Sequence, residues 1–172
     1  MNTLSFATLA AFVLAVFLSI NACKKEESAK GTDRELYEMA LETNGFVWYK
    51  NTDVLLPKSN ITGHGETLLR TRYNTIAAQD LDVAGKVKDN NVFSEGALIV
   101  KELYNNANDF STYAIMYKKP GHPDADATGW VWGYVRGNGD VRTAASEKGS
   151  GCRGCHNQAG NIDLSLMNVA FP

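Results

Sequence analysis

Three apolar runs with strand character follow one another in the second half of the chain. They are GALIVKELY from Gly96, TYAIMY from Thr112 and WVWGYVR from Trp130. The connections between them are polar and rich in turn residues, and Gly137-Asn138-Gly139 after the third run is typical of a tight turn. Runs joined in this way predict an antiparallel sheet.

Helical signals precede these runs. Thr32 to Glu35 has the spacing of a capping box and predicts a helix from about Asp33 to Thr43. The segment from Thr75 to Val83 predicts a second helix with Asn74 as its N-cap. The predicted fold class is therefore α+β, with N-terminal helices followed by a mainly antiparallel β-sheet.

The N-terminal sequence predicts an export signal. An almost unbroken apolar stretch covers residues 4–20, and INAC follows, ending at Cys23. This resembles the lipobox of bacterial lipoproteins, which predicts a signal peptide over 1–22, lipidation of Cys23 and a solvated tether over 23–32. The alternative is a simple membrane anchor with Cys23 as a bystander. Either interpretation places an exported domain, residues 33–172, at a membrane surface; for the lipoprotein we expect a periplasmic location.

The net charge and the number of cysteines limit which functions the sequence can support. The formal net charge is −2 and no basic stripe is visible. Composition therefore gives no basis for nucleic-acid binding. Of the three cysteines, Cys23 ends the lipobox-like segment, which leaves Cys152 and Cys155 in the folded part.

These two cysteines form the motif CRGCH with His156. A redox-active pair is expected between a strand and a helix of a βαβ unit, a context that is missing here. A zinc site needs a second ligand pair, and a disulfide makes no use of the histidine. Covalent haem uses every residue, because two thiols add across the vinyl groups and the adjacent histidine coordinates iron. The motif predicts haem c, attached near the C-terminus.

The sixth iron position has no evident protein ligand. Histidines in polar loops are usually solvated, and methionines at apolar helix or strand positions usually belong to the core. An open position predicts binding of a small molecule rather than electron transfer alone. The residues considered are Met39, Met116, Met167, His64 and His122.

A lysine interrupts the apolar face of the first strand-like run. Alternation places Ala97, Ile99, Lys101 and Leu103 on one face. Periodicity alone favours a partly exposed face or a lysine that reaches to the sheet edge.

Further segments give the chain a family resemblance. FSEGALIVKEL over 93–103, RTRYNTIAA over 70–78, the late CxxCH site and the tail DLSLMNVAFP over 163–172 resemble the cytochrome P-460 family. The resemblance covers about residues 67–172. It implies a mono-haem c-type protein with a mainly antiparallel β fold, often dimeric.

The resemblance also implies roles for single residues. His156 would be the proximal ligand, and Lys101 matches a lysine that is covalently linked to the porphyrin edge in the cytochromes that give the family its name. Such proteins oxidise hydroxylamine, with nitric oxide as a reactant or ligand, and an acceptor cytochrome would take the electrons. The proton acceptor this needs has one candidate, Glu147. Aromatic candidates for the cavity wall are Phe93, Phe110, Tyr104, Trp130 and Trp132.

Three functions stay open at this point. One is an oxidoreductase acting on hydroxylamine or nitric oxide. The second, like relatives of the c'-β type that lack the cross-link, is a binder of nitric oxide without turnover. The third is an electron carrier with a filled sixth position.

Overall fold

A seven-stranded sheet forms the centre of the structure, a computed structural model that describes residues 27–172. Neighbouring strands follow the order β1, β3, β4, β5, β6, β7, with β2 also beside β3, and every pairing is antiparallel. The predicted antiparallel sheet is confirmed. The strands are β1 Val47–Trp48, β2 Leu56–Pro57, β3 Leu68–Tyr73, β4 Leu98–Asn106, β5 Asp109–Lys118, β6 Trp130–Arg136 and β7 Val141–Thr143.

The three predicted strands correspond to β4, β5 and β6. The β4–β5 pairing extends to Asn106 and Asp109, so most of the polar connection predicted between them is itself strand. The sequence did not predict β7, because three residues after a glycine turn are too short to show alternation.

Of the two predicted helices only the first forms as an α-helix, and two single-turn helices form near the C-terminus. The α-helices are α1 Gly31–Leu41, α2 Arg153–His156 and α3 Met167–Ala170. The predicted second helix is only a short 3-10 turn, Ala77–Asp80, because Leu81 leaves the turn to bridge Val87. Asn74 still accepts the Ala77 N–H at 2.9 Å, as an N-cap would. The N-terminal helices of the predicted fold are therefore one α-helix and one such turn.

The predicted capping box is wrong. Since α1 begins at Gly31, Thr32 lies inside the helix rather than before it. Its hydroxyl donates instead to Asp124 Oδ2 at 2.7 Å. Tertiary contact has replaced the local cap.

One face of the sheet packs against α1. Leu36 and Ala40 of the helix are buried against Val100 and Ile115 of the central strands. A Cβ at Gly133 would lie 2.8 Å from Leu36 Cδ1, so only glycine allows the helix this close to β6.

The opposite face carries Ala97, Ile99 and Leu103, as alternation predicted. The C-terminal segment covers it, with Leu164 and Met167 in the same core. Burial on both faces explains why β4 is buried without interruption from Leu98 to Leu103.

The chain before α1 contacts the β6–β7 turn. Ser28 bridges Asp140, and buried Ala29 donates its N–H to Gly139 O at 2.8 Å. The end of the predicted tether is therefore attached to the domain. The signal peptide over 1–22 and lipidation of Cys23 lie outside the described residues and stay predictions. No helix within 27–172 has the length and apolar character needed to cross a membrane.

A buried arginine joins α1 to the sheet. Arg72, 1% exposed, donates to the carbonyl oxygens of Ala40 and Glu42, where α1 ends without intrahelical partners. Its Nε donates to Glu102 Oε1 at 2.9 Å, and Arg70 Nε donates to the other oxygen at 2.7 Å. This cluster satisfies the buried Glu102 carboxylate and the helix end together.

Replacing Arg72 by methionine is expected to lower the free energy of unfolding by about 3–5 kcal/mol, because Glu102 would keep a buried charge with fewer partners. Arg34→Met, which removes an exposed pair with Glu38, is the matched control, with an expected loss below about 0.5 kcal/mol. Urea unfolding of both variants measures the difference. Equal losses would contradict the assigned role of Arg72.

Candidate functional site

A cavity of about 190 Å³ opens between the sheet and the C-terminal segment. Strand register places one residue from each of five strands side by side along its wall. This cavity row consists of Thr71, Lys101, Ala114, Tyr134 and Thr143, all of which line the cavity.

A second row makes the cavity largely apolar. Ile99, Met116 and Trp132 are also in register on β4, β5 and β6 and line the same space. Leu166 and Met167 of the C-terminal segment contribute further apolar surface. Such a lining, with a few polar groups, is typical of a small-molecule or cofactor site.

The CRGCH motif lies at the cavity rim. It forms the single turn α2 rather than the predicted loop, and Cys152, Cys155 and His156 all line the cavity. Both cysteines are free, half-buried thiols. Asn161 Nδ2 donates to the carbonyls of Cys155 at 3.0 Å and His156 at 2.9 Å, which closes the C-terminal end of the turn.

A glycine brings this turn against the sheet. Gly149 has φ +67°, and a Cβ there would lie 2.5 Å from Trp132 Cδ1. Its backbone oxygen accepts the Cys152 N–H at 2.9 Å, so the same residue begins the cysteine turn. Any larger side chain would displace either the Trp132 ring or the turn.

His156 is held in one tautomer. Its Nδ1 lies 2.7 Å from Leu164 O, and because a carbonyl only accepts, Nδ1 carries the hydrogen. The Nε2 lone pair is then available as a metal ligand. Burial, followed by the charge of Lys101, lowers the pKa of His156 to about 4, so the ring is neutral at pH 7. Trp132 supports it edge-on, with ring centroids 5.0 Å apart.

The carbonyl that holds His156 belongs to a strained corner. Asp163 and Leu164 have φ of +42° and +67°, which L-residues rarely adopt. The Asp163 carboxylate accepts from Lys118 Nζ at 2.9 Å, Trp130 Nε1 at 3.3 Å and the Phe93 N–H at 2.9 Å. These three bonds stabilise the backbone conformation that directs Leu164 O at the imidazole.

Lys101 is buried in the cavity row, between Thr71 and Ala114. The side chain is 7% exposed, so it neither faces solvent nor reaches the sheet edge as periodicity alone favoured. Burial lowers the pKa of its amine to about 8. Within residues 27–172 the amine has no hydrogen bond or ion pair.

The structure does not bring Glu147 to the cavity. Glu147 is exposed, and among residues 27–172 its carboxylate accepts only the nearby Ala144 N–H, at 3.4 Å, because its short 3-10 turn points it outward. The carboxylate beside the cavity is instead Glu66, which is 5% exposed. No sequence pattern marked Glu66, since it stands in a glycine-containing loop before β3.

Glu66 anchors the end of the cavity row. It accepts hydrogen bonds from Tyr134 Oη at 3.2 Å, Ser111 Oγ at 3.0 Å and Arg142 Nη1 at 2.6 Å. Burial alone would raise its pKa, but hydrogen bonds and the Arg142 charge bring the pKa below its usual value. The carboxylate is therefore ionised at neutral pH and fixes Tyr134.

Of the five residues considered for the sixth iron position, three line the cavity and two lie elsewhere. His64, Met116 and Met167 line the cavity. Met39 packs into the core on the α1 side of the sheet, and His122 accepts the Asp124 N–H in another loop. His64 is not simply solvated as expected, because its loop closes onto Tyr134 and leaves the side chain half-buried.

Fewer of the predicted aromatic residues line the cavity than expected. Of the five aromatic candidates only Trp132 lines the cavity. Phe93 and Trp130 contact each other in the core behind it, and Tyr104 and Phe110 pair at the β4–β5 hairpin.

The donor set fits haem better than zinc. In the part of the chain that the structure describes, no three His, Cys, Asp or Glu side chains group as a metal site. Two free thiols and an imidazole with an available Nε2 stand together beside a largely apolar space. Those are the groups that covalent haem attachment requires.

Comparison with known proteins gives one match. A family model described as Cytochrome P460 matches residues 48–165, a range that contains the cavity row and the CRGCH motif. No curated protein and no solved structure matches the chain.

Replacing Gly149 by alanine is expected to lower the free energy of unfolding by about 2–4 kcal/mol, from the positive φ and the contact with Trp132. Gly151→Ala is the matched control, because a Cβ there meets no atom within 4 Å. Its expected effect is within about 0.5 kcal/mol. Chemical unfolding of both variants measures the change, and a Gly149 variant as stable as the control would refute the close approach.

Proposed function

The chain belongs to the cytochrome P460 family, and on that premise we propose that its cavity holds a covalently attached haem at which a small nitrogen compound is oxidised. Family membership implies haem binding. The observation that carries the finer proposal is the placement of Cys152, Cys155 and a tautomerically fixed His156 on one helical turn at the cavity rim.

Each residue of the motif has a distinct role in this proposal. The Cys152 and Cys155 thiols form thioether bonds to the haem vinyl groups and fix its edge. His156 supplies Nε2 as the proximal ligand, while its Nδ1–H stays on Leu164 O. That hydrogen bond sets the ring orientation and raises the basicity of the ligand nitrogen.

Lys101 is proposed to bond covalently to the porphyrin edge, where a C–N bond would replace a ring C–H bond, two protons would be released and an external two-electron oxidant would take up the two electrons. The family resemblance supports this role, and so does the local chemistry of the amine. With a pKa of about 8, about a tenth of the amine is neutral and nucleophilic at pH 7. An amine that lines the cavity, without another partner within residues 27–172, has its nitrogen free to react.

The proposed substrates are hydroxylamine and nitric oxide. When bound, haem iron supplies one-electron oxidation and an open coordination position for a small molecule. Hydroxylamine oxidation to nitric oxide releases one proton for each electron, and a separate cytochrome is proposed to accept the electrons. We also propose export, attachment to the membrane through lipidated Cys23, and dimer formation.

A second function has support of its own. The apolar row Ile99, Met116 and Trp132 provides few groups for proton transfer. A cavity of this kind suits reversible binding of nitric oxide without turnover, as in c'-β-type relatives. The Lys101 bond and hydroxylamine turnover distinguish the two functions.

Serine substitutions test covalent attachment. In Cys152→Ser and Cys155→Ser, each with one thiol, haem is expected to remain on the denatured protein through one thioether only, and the double variant is expected to retain none. All three variants also carry Lys101→Met, so that the proposed amine bond does not hold the haem. Denaturing mass spectrometry measures this; haem that dissociates from the denatured parent would contradict covalent attachment.

Lys101→Met tests the amine bond. The variant is expected to keep its two thioethers, lose the Lys101 adduct in peptide mass spectra and lose a red-shifted ferrous absorption band. Hydroxylamine turnover is expected to fall at least about tenfold. Lys88→Met, at an exposed position outside the cavity, is the matched control. If the parent shows no Lys101 adduct, the gas-binding function takes precedence.

A further inference from the structure

Two nitrogen-bearing side chains in the cavity have no hydrogen bond within residues 27–172. They are Lys101 and His64. Among the hydroxyl groups of the cavity row, Thr71 donates to Met167 Sδ at 3.2 Å and Tyr134 to Glu66. Since the proposed function already uses Lys101, His64 is the half-buried nitrogen group of the cavity that has no role yet.

His64 and His156 lie beside successive side chains on one face of β6. The His156 ring is 5.0 Å from the Trp132 ring, and the His64 ring is 5.7 Å from the Tyr134 ring, between centroids. Residues two apart on a strand are separated by about 6.7 Å. When a flat ring is in van der Waals contact with one group on each of its two faces, those two groups are about 7 Å apart. The strand spacing therefore matches one flat ring between the two histidines.

The neighbour of His64 is fixed in place. The Tyr134 hydroxyl donates to Glu66, which is itself held by Arg142 and Ser111. The Tyr134 ring therefore presents a rigid surface to the imidazole. Its hydroxyl is already engaged, so Tyr134 does not replace His64 as a donor to the cavity.

The loop that carries His64 is attached on the same side as the cysteine turn. Thr62 is 7% exposed and its hydroxyl donates to Ser59 O at 2.9 Å. A Cβ at Gly63 would lie 3.4 Å from Cys155 Sγ, so the loop contacts the thiol proposed to hold the haem edge. A haem attached at Cys155 would therefore be held close to this loop.

We propose that His64 faces the haem from the side opposite His156 and donates a hydrogen bond to the small molecule bound there. This inference rests on the proposed function, because it needs haem in the cavity. Burial, with the charge of Lys101 next, lowers the pKa of His64 to about 2. A neutral imidazole retains one N–H donor, which suits a compact ligand with a nitrogen or oxygen lone pair.

Cyanide binding to the haem-loaded ferric protein tests the proposal. His64→Leu removes the donor, and His64→Gln keeps an N–H on a side chain of similar size. His122→Leu is the matched control, since His122 lies outside the cavity. Loss of one hydrogen bond to an anion is expected to weaken binding at least about tenfold in His64→Leu. The glutamine and His122 variants are expected to bind within about threefold of the parent.

The ferrous carbon monoxide complex gives a second measurement. A donor to the ligand oxygen weakens the C–O bond, so the stretching frequency is expected to rise in His64→Leu and to stay near the parent value in His64→Gln. Unchanged cyanide affinity and an unchanged frequency in His64→Leu would overturn the inference. A low-spin parent that becomes high-spin in His64→Leu would also overturn it, because His64 would then be an iron ligand. A parent that takes up no haem refutes the proposed function itself.

Discussion

Strand register is the constraint on which the site depends. Five antiparallel strands place Thr71, Lys101, Ala114, Tyr134 and Thr143 side by side, and a shift of one residue would turn each of them to the α1 side. Apolar packing on both faces fixes that register. Lys101 can therefore remain buried without a partner within residues 27–172, at a cost that the core supports.

Three polar clusters hold a helix, a backbone corner and a side chain whose positions the apolar core alone does not fix. Arg72 with Glu102 holds α1 on one face, and Asp163 with Lys118 holds the corner that directs Leu164 O at His156. Glu66 fixes Tyr134 at the far end of the cavity. Each cluster pairs a buried carboxylate with a cation, so the groups around the cavity have defined orientations before any cofactor binds.

Short-range sequence patterns were enough to predict part of the site, namely the face of β4 that carries Lys101 and the cysteine motif. Alternation in β4 placed Lys101 on the apolar face, and spacing alone identified Cys152, Cys155 and His156. Tertiary contact decided the rest. His64 and Glu66 stand in one loop without periodicity, and only closure of this loop onto Tyr134 brings His64 to the cavity and Glu66 beside it. The capping box failed for the same reason, since Asp124, distant in sequence, bonds the Thr32 hydroxyl.

A crystal structure of the haem-loaded protein tests the central claim most directly. The account predicts haem against the cavity row, thioether bonds to both cysteines, and His156 Nε2 on iron while Nδ1 keeps its hydrogen bond to Leu164 O. The Lys101 amine should lie within bonding distance of the porphyrin edge. Haem bound elsewhere, or iron ligated by another residue in place of His156, would contradict the account.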